Sequence, residues 1–253
     1  MKAILIDMQF ELEVIAFDLL SCLLAAENGA DRIELCANPH EGGTTPSYGM
    51  MKAARKSTLI QVFPIIRPRG GDFLYTQEEF QAMKDDIKAA QDIGCEGVVI
   101  GILNKDGGID LEKCQELVEI AKGIDVTFHR AFDRVKDPHS SLEQIIAIGC
   151  KRILSSGLRP TAKEGSNILK TFVSQANGRI KIMPGSGVRA DNIVQLAKDT
   201  GAVCFHSSAR KTLESQMNYF NTNMKENLVQ VSLDGKEVMH LKNNLVSHFH
   251  SKH

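Results

Sequence analysis

Apolar and polar positions fall into a repeated block pattern along this chain. A helical segment ends in a glycine, one or two residues follow, and a β-rich apolar run begins. The junction occurs at Gly29, Gly94, Gly123, Gly149, Gly178 and Gly201, and from Gly94 onward it returns every 23–29 residues. Glycine just past a helix end supplies a left-handed cap, so each junction reads as one helix stopping and one strand starting. Repetition at that interval indicates a βα unit used many times. The predicted strands are 12–17, 32–36, 59–66, 97–103, 125–132, 152–157, 180–184 and 202–208, separated by amphipathic runs such as EEFQAMKDDIKAAQDIG and LEKCQELVEIAKG. Eight strands alternating with helices predict an α/β chain closed into a single (β/α)8 TIM barrel over residues 1–253; an open doubly wound sheet is the alternative. The pattern loosens from Lys211 to Asp234, and a last helix is expected from Gly235 to Phe249.

Four of the apolar runs end in chemistry. A strand covered on both faces should read as nearly continuous Val, Ile, Leu and Phe. The run Val126–Asp133, VTFHRAFD, instead carries His129 and Arg130, so it must open into a site there. Other runs end at Cys36, at Arg67 and Arg69, and at His206. The loops that follow strands are rich (Glu41–Ser47, Pro68–Phe73, Gly185–Arg189), whereas those that precede strands are bare glycine turns. In such barrels the working face lies at the carboxyl ends of the strands. Side-chain alternation groups Glu13 with Ile15, Glu34 with Cys36, Arg67 with Arg69, and Thr127 with His129. An unpaired charge under the outer helices is costly, so these charges are expected in the barrel mouth, with Glu13 and Glu34 balancing Arg67 and His129. The competing reading is that they are buried ion pairs filling the floor.

Composition narrows the partners. The chain is 43% hydrophobic and carries 30 Lys+Arg against 31 Asp+Glu, which argues against a nucleic-acid or anionic-membrane partner and leaves a small anionic molecule or a metal ion. Asp7, Glu11, Glu13 and Asp18 interrupt the apolar N-terminal stretch, and no run is long enough for a membrane helix, so the expected location is cytoplasmic. The six cysteines show no paired spacing and are expected as free thiols.

For proton transfer the candidates are His129, with an ordinary pKa near neutrality, and Glu34, tunable by burial. Arg67 and Arg69 could clamp an anionic group, and Asp72, Arg130 and Asp133 could orient loops or substrate. Gly185, Ser186 and Gly187, with Ser207 and Ser208, lie where such barrels bind phosphate, and Ser156 and His206 complete the candidate rim. These residues point to an isomerase, epimerase or lyase acting on a small phosphorylated or carboxylated metabolite, with no organic cofactor indicated. Lys181 lies early in its strand, away from the working end, which disfavours Schiff-base chemistry.

The motifs ELC…EGGTTPS, IRPRGGDF, VTFHRAFD, a Ser-Gly pair, PGSGVR and FHSSAR, in this order from Glu11 to Arg210, resemble the CutC family, named for copper homeostasis. The resemblance implies a cytoplasmic (β/α)8 barrel, a homo-oligomer, and a role in copper homeostasis with Cu(I) as a candidate ligand. Where family members are proposed to bind copper, they carry a cysteine at the end of each of the first two strands. The second matches Cys36; the first falls at Ile15. Cu(I) favours two or three soft ligands, so one thiolate makes a poor site. The tail residues His248, His250 and His253 read as an adventitious metal binder.

Overall fold

The computed structural model describes residues 10–225 and 227–250; the expected domain ends and His253 fall outside them. The alternation of elements holds throughout. Strands β1 (Glu11–Ala16), β2 (Arg32–Leu35), β3 (Gln61–Pro64), β4 (Gly97–Ile100), β5 (Asp125–Phe128), β6 (Arg152–Ser155), β7 (Lys181–Pro184) and β8 (Cys204–Ser207) alternate with helices α1 (Leu19–Glu27), α2 (Tyr48–Ser57), α3 (Gln77–Ile93), α4 (Leu111–Ile120), α5 (Pro138–Ala147), α6 (Ser166–Ala176) and α7 (Ile193–Thr200). All pairings among these strands are parallel, in the orders β3-β2-β1-β8 and β4-β5-β6-β7. A bridge from Ile65 to Val99 joins β3 to β4, and β7 lies beside β8, which closes the ring into a (β/α)8 barrel.

All six junction glycines adopt positive φ. At the end of α3, Gly94 (φ 85°) turns its N–H back onto Ala90 and Gln91; a side chain there would meet the left-handed steric penalty. The same helix begins with a capping box in which Thr76 and Glu79 satisfy each other's backbone N–H groups, as the T-x-x-E spacing requires.

The ladders are shorter than the apolar runs. Strand β5 stops at Phe128, and His129 caps a 3-10 turn over Arg130–Arg134. Leu59, expected in a strand, is fully exposed ahead of β3. The stretch after β8 contains a hairpin the pattern did not predict, β9 (Arg210–Leu213) paired antiparallel with β10 (Gln230–Leu233). Helix α8 (Gly235–His250) then packs on α1, α7 and β1, with Phe249 stacked on Phe10 and Lys242 paired with Asp31 at 2.6 Å.

Glycines shape the barrel interior. A Cβ on Gly97 would lie 2.1 Å from the Phe63 ring, and one on Gly101 would lie 2.4 Å from His129, so the bare backbone of β4 and its extension admits both rings. Phe63 in turn carries Arg32, whose guanidinium carbon sits 3.3 Å from the ring centre.

Candidate active site

Strand register decides which charges meet. Glu13 on β1 lies opposite Arg32 on β2 and His206 on β8. Its carboxylate accepts from Arg32 Nε at 2.6 Å and lies 2.6 Å from His206 Nδ1. His206 Nε2 then faces Glu34 at 3.7 Å. Below this chain, toward the amino ends of the strands, Arg152 pairs with Glu11 and Asp125, and Lys181 with Glu11. The interior is therefore a column of ion pairs rising from the floor to the mouth. Buried ions cost several kcal/mol each to desolvate, so their mutual geometry determines whether the fold tolerates them.

The environment separates the titrating groups. Burial pushes Glu13 up, but the charges of Arg32 and His206 outweigh it and hold the carboxyl at about 2. Burial also raises Glu34; the Glu13 charge adds to it, and the opposing His206 and Arg32 leave the carboxyl at about 7. His206 is pulled down by burial and pulled up more strongly by its hydrogen bond to Glu13 and by both carboxylates, so it rises above its ordinary value. His129 behaves oppositely: burial and the nearby Arg67 charge depress it to about 3.

The carboxyl ends of the strands enclose a cavity of 310 Å³. It brings together Glu34, Arg67, His129, Arg130, Ser186, Gly187, His206 and Ser208 from the expected residues, and adds Ile15, Phe73 and Arg210 among others. Arg210, at the start of β9, forms no ion pair with a described residue, although its guanidinium reaches over the Phe17 ring at 5.2 Å. The pattern of strands does not single it out, because it follows the predicted end of strand eight. Phe73, stacked near both Arg67 (4.9 Å) and His129 (5.0 Å), could have been found in the IRPRGGDF loop by its aromatic type.

Several expected partners and roles are corrected. Arg67 is not balanced by Glu13 or Glu34; its guanidinium donates to the carbonyls of Glu41, Gly43 and Gly71 and so shapes the loops. Burial and the Arg67 charge hold the His129 ring well below its ordinary value, at about 3. Its Nδ1 accepts from the Ala131 N–H at 3.1 Å, so the neutral ring carries its proton on Nε2. Arg69 turns away from the cavity, pairing with Asp72 and Glu79 and lying over Tyr75, and Asp72 is 70% exposed. Ser156 is buried in a knot around Asp133, whose carboxylate accepts from Ser155 Oγ, the Ser156 and Leu158 N–H groups, Ser156 Oγ and Arg130 Nε. Ser207 Oγ donates to the Val188 carbonyl. Gly185 contributes space, since a Cβ there would lie 2.4 Å from Leu154. Strand alternation explains Ser207, because its neighbours His206 and Ser208 take the inward positions.

Metal ligands fit poorly. Cys36 sits in an apolar cluster with Ile15, Phe63, Ile65 and Val99, and burial and the Glu34 charge raise its thiol well above the ordinary value. The six cysteines are free and buried, and no other lies in that cluster. A Cu(I) site needs thiolate and further soft donors, which this surrounding does not supply. Glu13, Glu34 and His206 hold donor atoms within 4.8 Å of one another, but both Glu13 oxygens are already taken, one by Arg32 Nε and the other by His206 Nδ1. Of the tail histidines, His248 is buried against Phe249.

Comparison with known proteins settles the lineage. Residues 10–211 match the CutC family. This chain belongs to it. It is 50% identical over 214 residues to a CutC family protein of Bacteroides thetaiotaomicron, covering 84% of this chain and 86% of that one. It is 45% identical over 215 residues to a human protein named copper homeostasis protein cutC homolog, covering 85% and 79%. A solved CutC structure from Streptococcus agalactiae superposes with a TM-score of 0.75 at 35% identity, covering 79% of this chain and 98% of that one. The CutC barrel therefore includes everything from β1 through the start of β9. Among the described residues no helix is long and apolar enough to cross a membrane.

Proposed function

We propose that this CutC barrel is an enzyme that moves a proton on a small phosphorylated or carboxylated metabolite, as an isomerase, epimerase or lyase does. One observation carries the reading: a single 310 Å³ cavity is lined by a buried carboxyl held near neutrality, by an uncharged imidazole and by three arginines. Such a carboxyl can both take and return a proton at neutral pH. Arg210 and Arg130, with Ser208 and the Ser186–Gly187 turn, supply the anion contacts. Glu34 is the acid–base group, and the Glu13–His206 pair positions it. Six buried free thiols suit a cytoplasmic, reducing setting. The exposed Met217, Tyr219 and Phe220 offer an apolar surface for the homo-oligomer that the family implies.

The test follows thermal stability against a metabolite library, then solvent deuterium incorporation into any compound that binds. Wild type should be stabilised by small anions, Arg210→Ala should lose that shift, and Glu34→Gln should keep binding but lose exchange. Anion binding without a role for Arg210 would overturn the assignment. Copper handling through Cys36 is the second reading, favoured by the name of the human relative. A Cu(I) competition titration separates the two: tight binding by wild type that Cys36→Ser abolishes supports copper, and equal weak binding by both supports the enzyme.

A further inference from the structure

Two acid–base atoms open side by side on one wall of the cavity. Glu34 and His206 are each at least nine-tenths buried and both line it. Glu34 Oε2 lies 3.7 Å from His206 Nε2, too far for a hydrogen bond. Neither atom bonds to any other described residue, and neither is among the unpaired polar atoms sealed from solvent, so both are open to the cavity. The far side of the imidazole is fixed. His206 Nδ1 lies 2.6 Å from one Glu13 oxygen, and Arg32 Nε holds the other at 2.6 Å. Glu34 on β2 stands abreast of Ile15 on β1, and His206 on β8 abreast of Glu13, so both groups belong to the wall made by β8, β1 and β2. Among the described residues lining the cavity, the other walls contribute no second proton acceptor. They supply Arg67, Arg130 and His129, and the His129 ring has Nδ1 taken by the Ala131 N–H and Nε2 sealed off. Proton transfer is thereby confined to one face of whatever fills the cavity. A general acid or base acts over about 2.6–3.2 Å, so groups 3.7 Å apart serve neighbouring atoms of one substrate and not opposite faces of one carbon.

We propose that Glu34 and His206 together carry a same-face proton shift between adjacent carbons of an anionic α-hydroxy aldehyde or ketone, Glu34 serving the carbons and His206 Nε2 the two oxygens. This rests on the enzyme reading above, names its substrate class and selects the isomerase among its reaction types. Glu34 takes the proton from the carbon that bears the hydroxyl while His206 gives its Nε2 proton to the carbonyl oxygen. The C–H electron pair becomes the new C=C bond, and the carbonyl π pair becomes the new O–H bond of an enediol. Neutral His206 then takes the proton from the other hydroxyl, whose O–H pair becomes the new C=O. The C=C pair takes back the proton from Glu34 at the neighbouring carbon. Both side chains end as they began, and no oxidant or reductant is consumed. The surroundings suit the two roles, since Glu13 favours the protonated form of His206 while Glu34 is held near neutrality.

The test incubates the full chain with dihydroxyacetone phosphate and with ribulose 5-phosphate in deuterium oxide and follows both by proton NMR. The expected result is that wild type exchanges one of the two hydrogens on carbon 1 of at least one ketose and forms the corresponding aldose, with no 3-epimer of ribulose 5-phosphate. Glu34→Gln should abolish the exchange. His206→Asn keeps a donor for the Glu13 oxygen but places nothing at the Nε2 position, so it should lower kcat about 100-fold or more with KM little changed. A histidine that only supports the wall would leave kcat near that of wild type in this variant. Circular dichroism establishes that each variant folds, and His206→Gln gives the same comparison should His206→Asn not fold. Appearance of the 3-epimer, full exchange by the His206 variant, or no exchange on either ketose overturns the same-face pair. The enzyme reading stands apart from these outcomes if Glu34-dependent exchange appears on another anion, and both fall together if no anion binds wild type.

Discussion

The depressed pKa of His129 makes it a measurable source of pH-dependent stability. Its ordinary value is 6.5, and burial together with the Arg67 charge brings it to about 3 in the folded protein. Between these values the unfolded chain binds a proton that the folded chain does not, so the contribution is present above 6.5 and is lost as pH falls. One proton corresponds to about 1.4 kcal/mol per pH unit, so from pH 7 to pH 5 wild type loses about 2 kcal/mol through this residue. Glu34 works in the opposite sense. Its carboxyl is raised to about 7 from an ordinary 4.5, so the folded state binds the extra proton between these values and gains stability as pH falls through that window. His206, also raised from 6.5, adds stability that is complete below its ordinary value and is lost as pH rises. The wild-type profile alone therefore mixes opposing slopes. His129→Gln removes one titrating group, keeps a carbonyl able to accept from the Ala131 N–H, and leaves the other groups in place. Urea unfolding of both proteins at pH 7 and pH 5 should show the wild-type advantage shrinking by about 2 kcal/mol at the lower pH. Parallel profiles would refute the claim that burial keeps this imidazole neutral.

Three further outcomes test the barrel interior and its helices. Arg32→Met, at a site with no exposed surface, strands the Glu13 carboxylate with His206 alone; it should destabilise by about 3–5 kcal/mol in chemical denaturation, with partial recovery in the Arg32→Met, Glu13→Gln double variant. Gly97→Ala places a methyl 2.1 Å from the Phe63 ring and 2.4 Å from the Asp125 carbonyl; differential scanning calorimetry should register roughly 1–3 kcal/mol or more of overpacking, and an unchanged melting temperature would contradict the packing described. Thr76→Ala removes the α3 capping box and should cost about 1 kcal/mol, read as a lower urea midpoint with an unchanged slope.

The barrel was legible because its instructions are local. Each junction glycine declares a helix end through a backbone conformation other residues resist, and each apolar run declares a strand buried on both sides, so eight repeats left few architectures. The working face was legible for the same reason: His129, Arg67 and His206 interrupt runs that would otherwise be wholly apolar. The β9–β10 hairpin was not, because its strands are short and mostly polar.

What sequence alone determined, then, is the (β/α)8 frame and the end at which ionisable residues collect. Partnership and protonation belonged to the tertiary structure. Glu13 meets Arg32 and His206 only because parallel register sets them abreast on three strands, although 193 positions separate Glu13 from His206 along the chain. Arg69 leaves the site for Glu79 while Arg67, two residues earlier, stays in it. His129 and Glu34 have ordinary pKa values as residue types, and burial drives one down and the other up. Desolvation and charge pairing depend on distances through space, and a linear string of residues does not contain those distances until the cylinder closes.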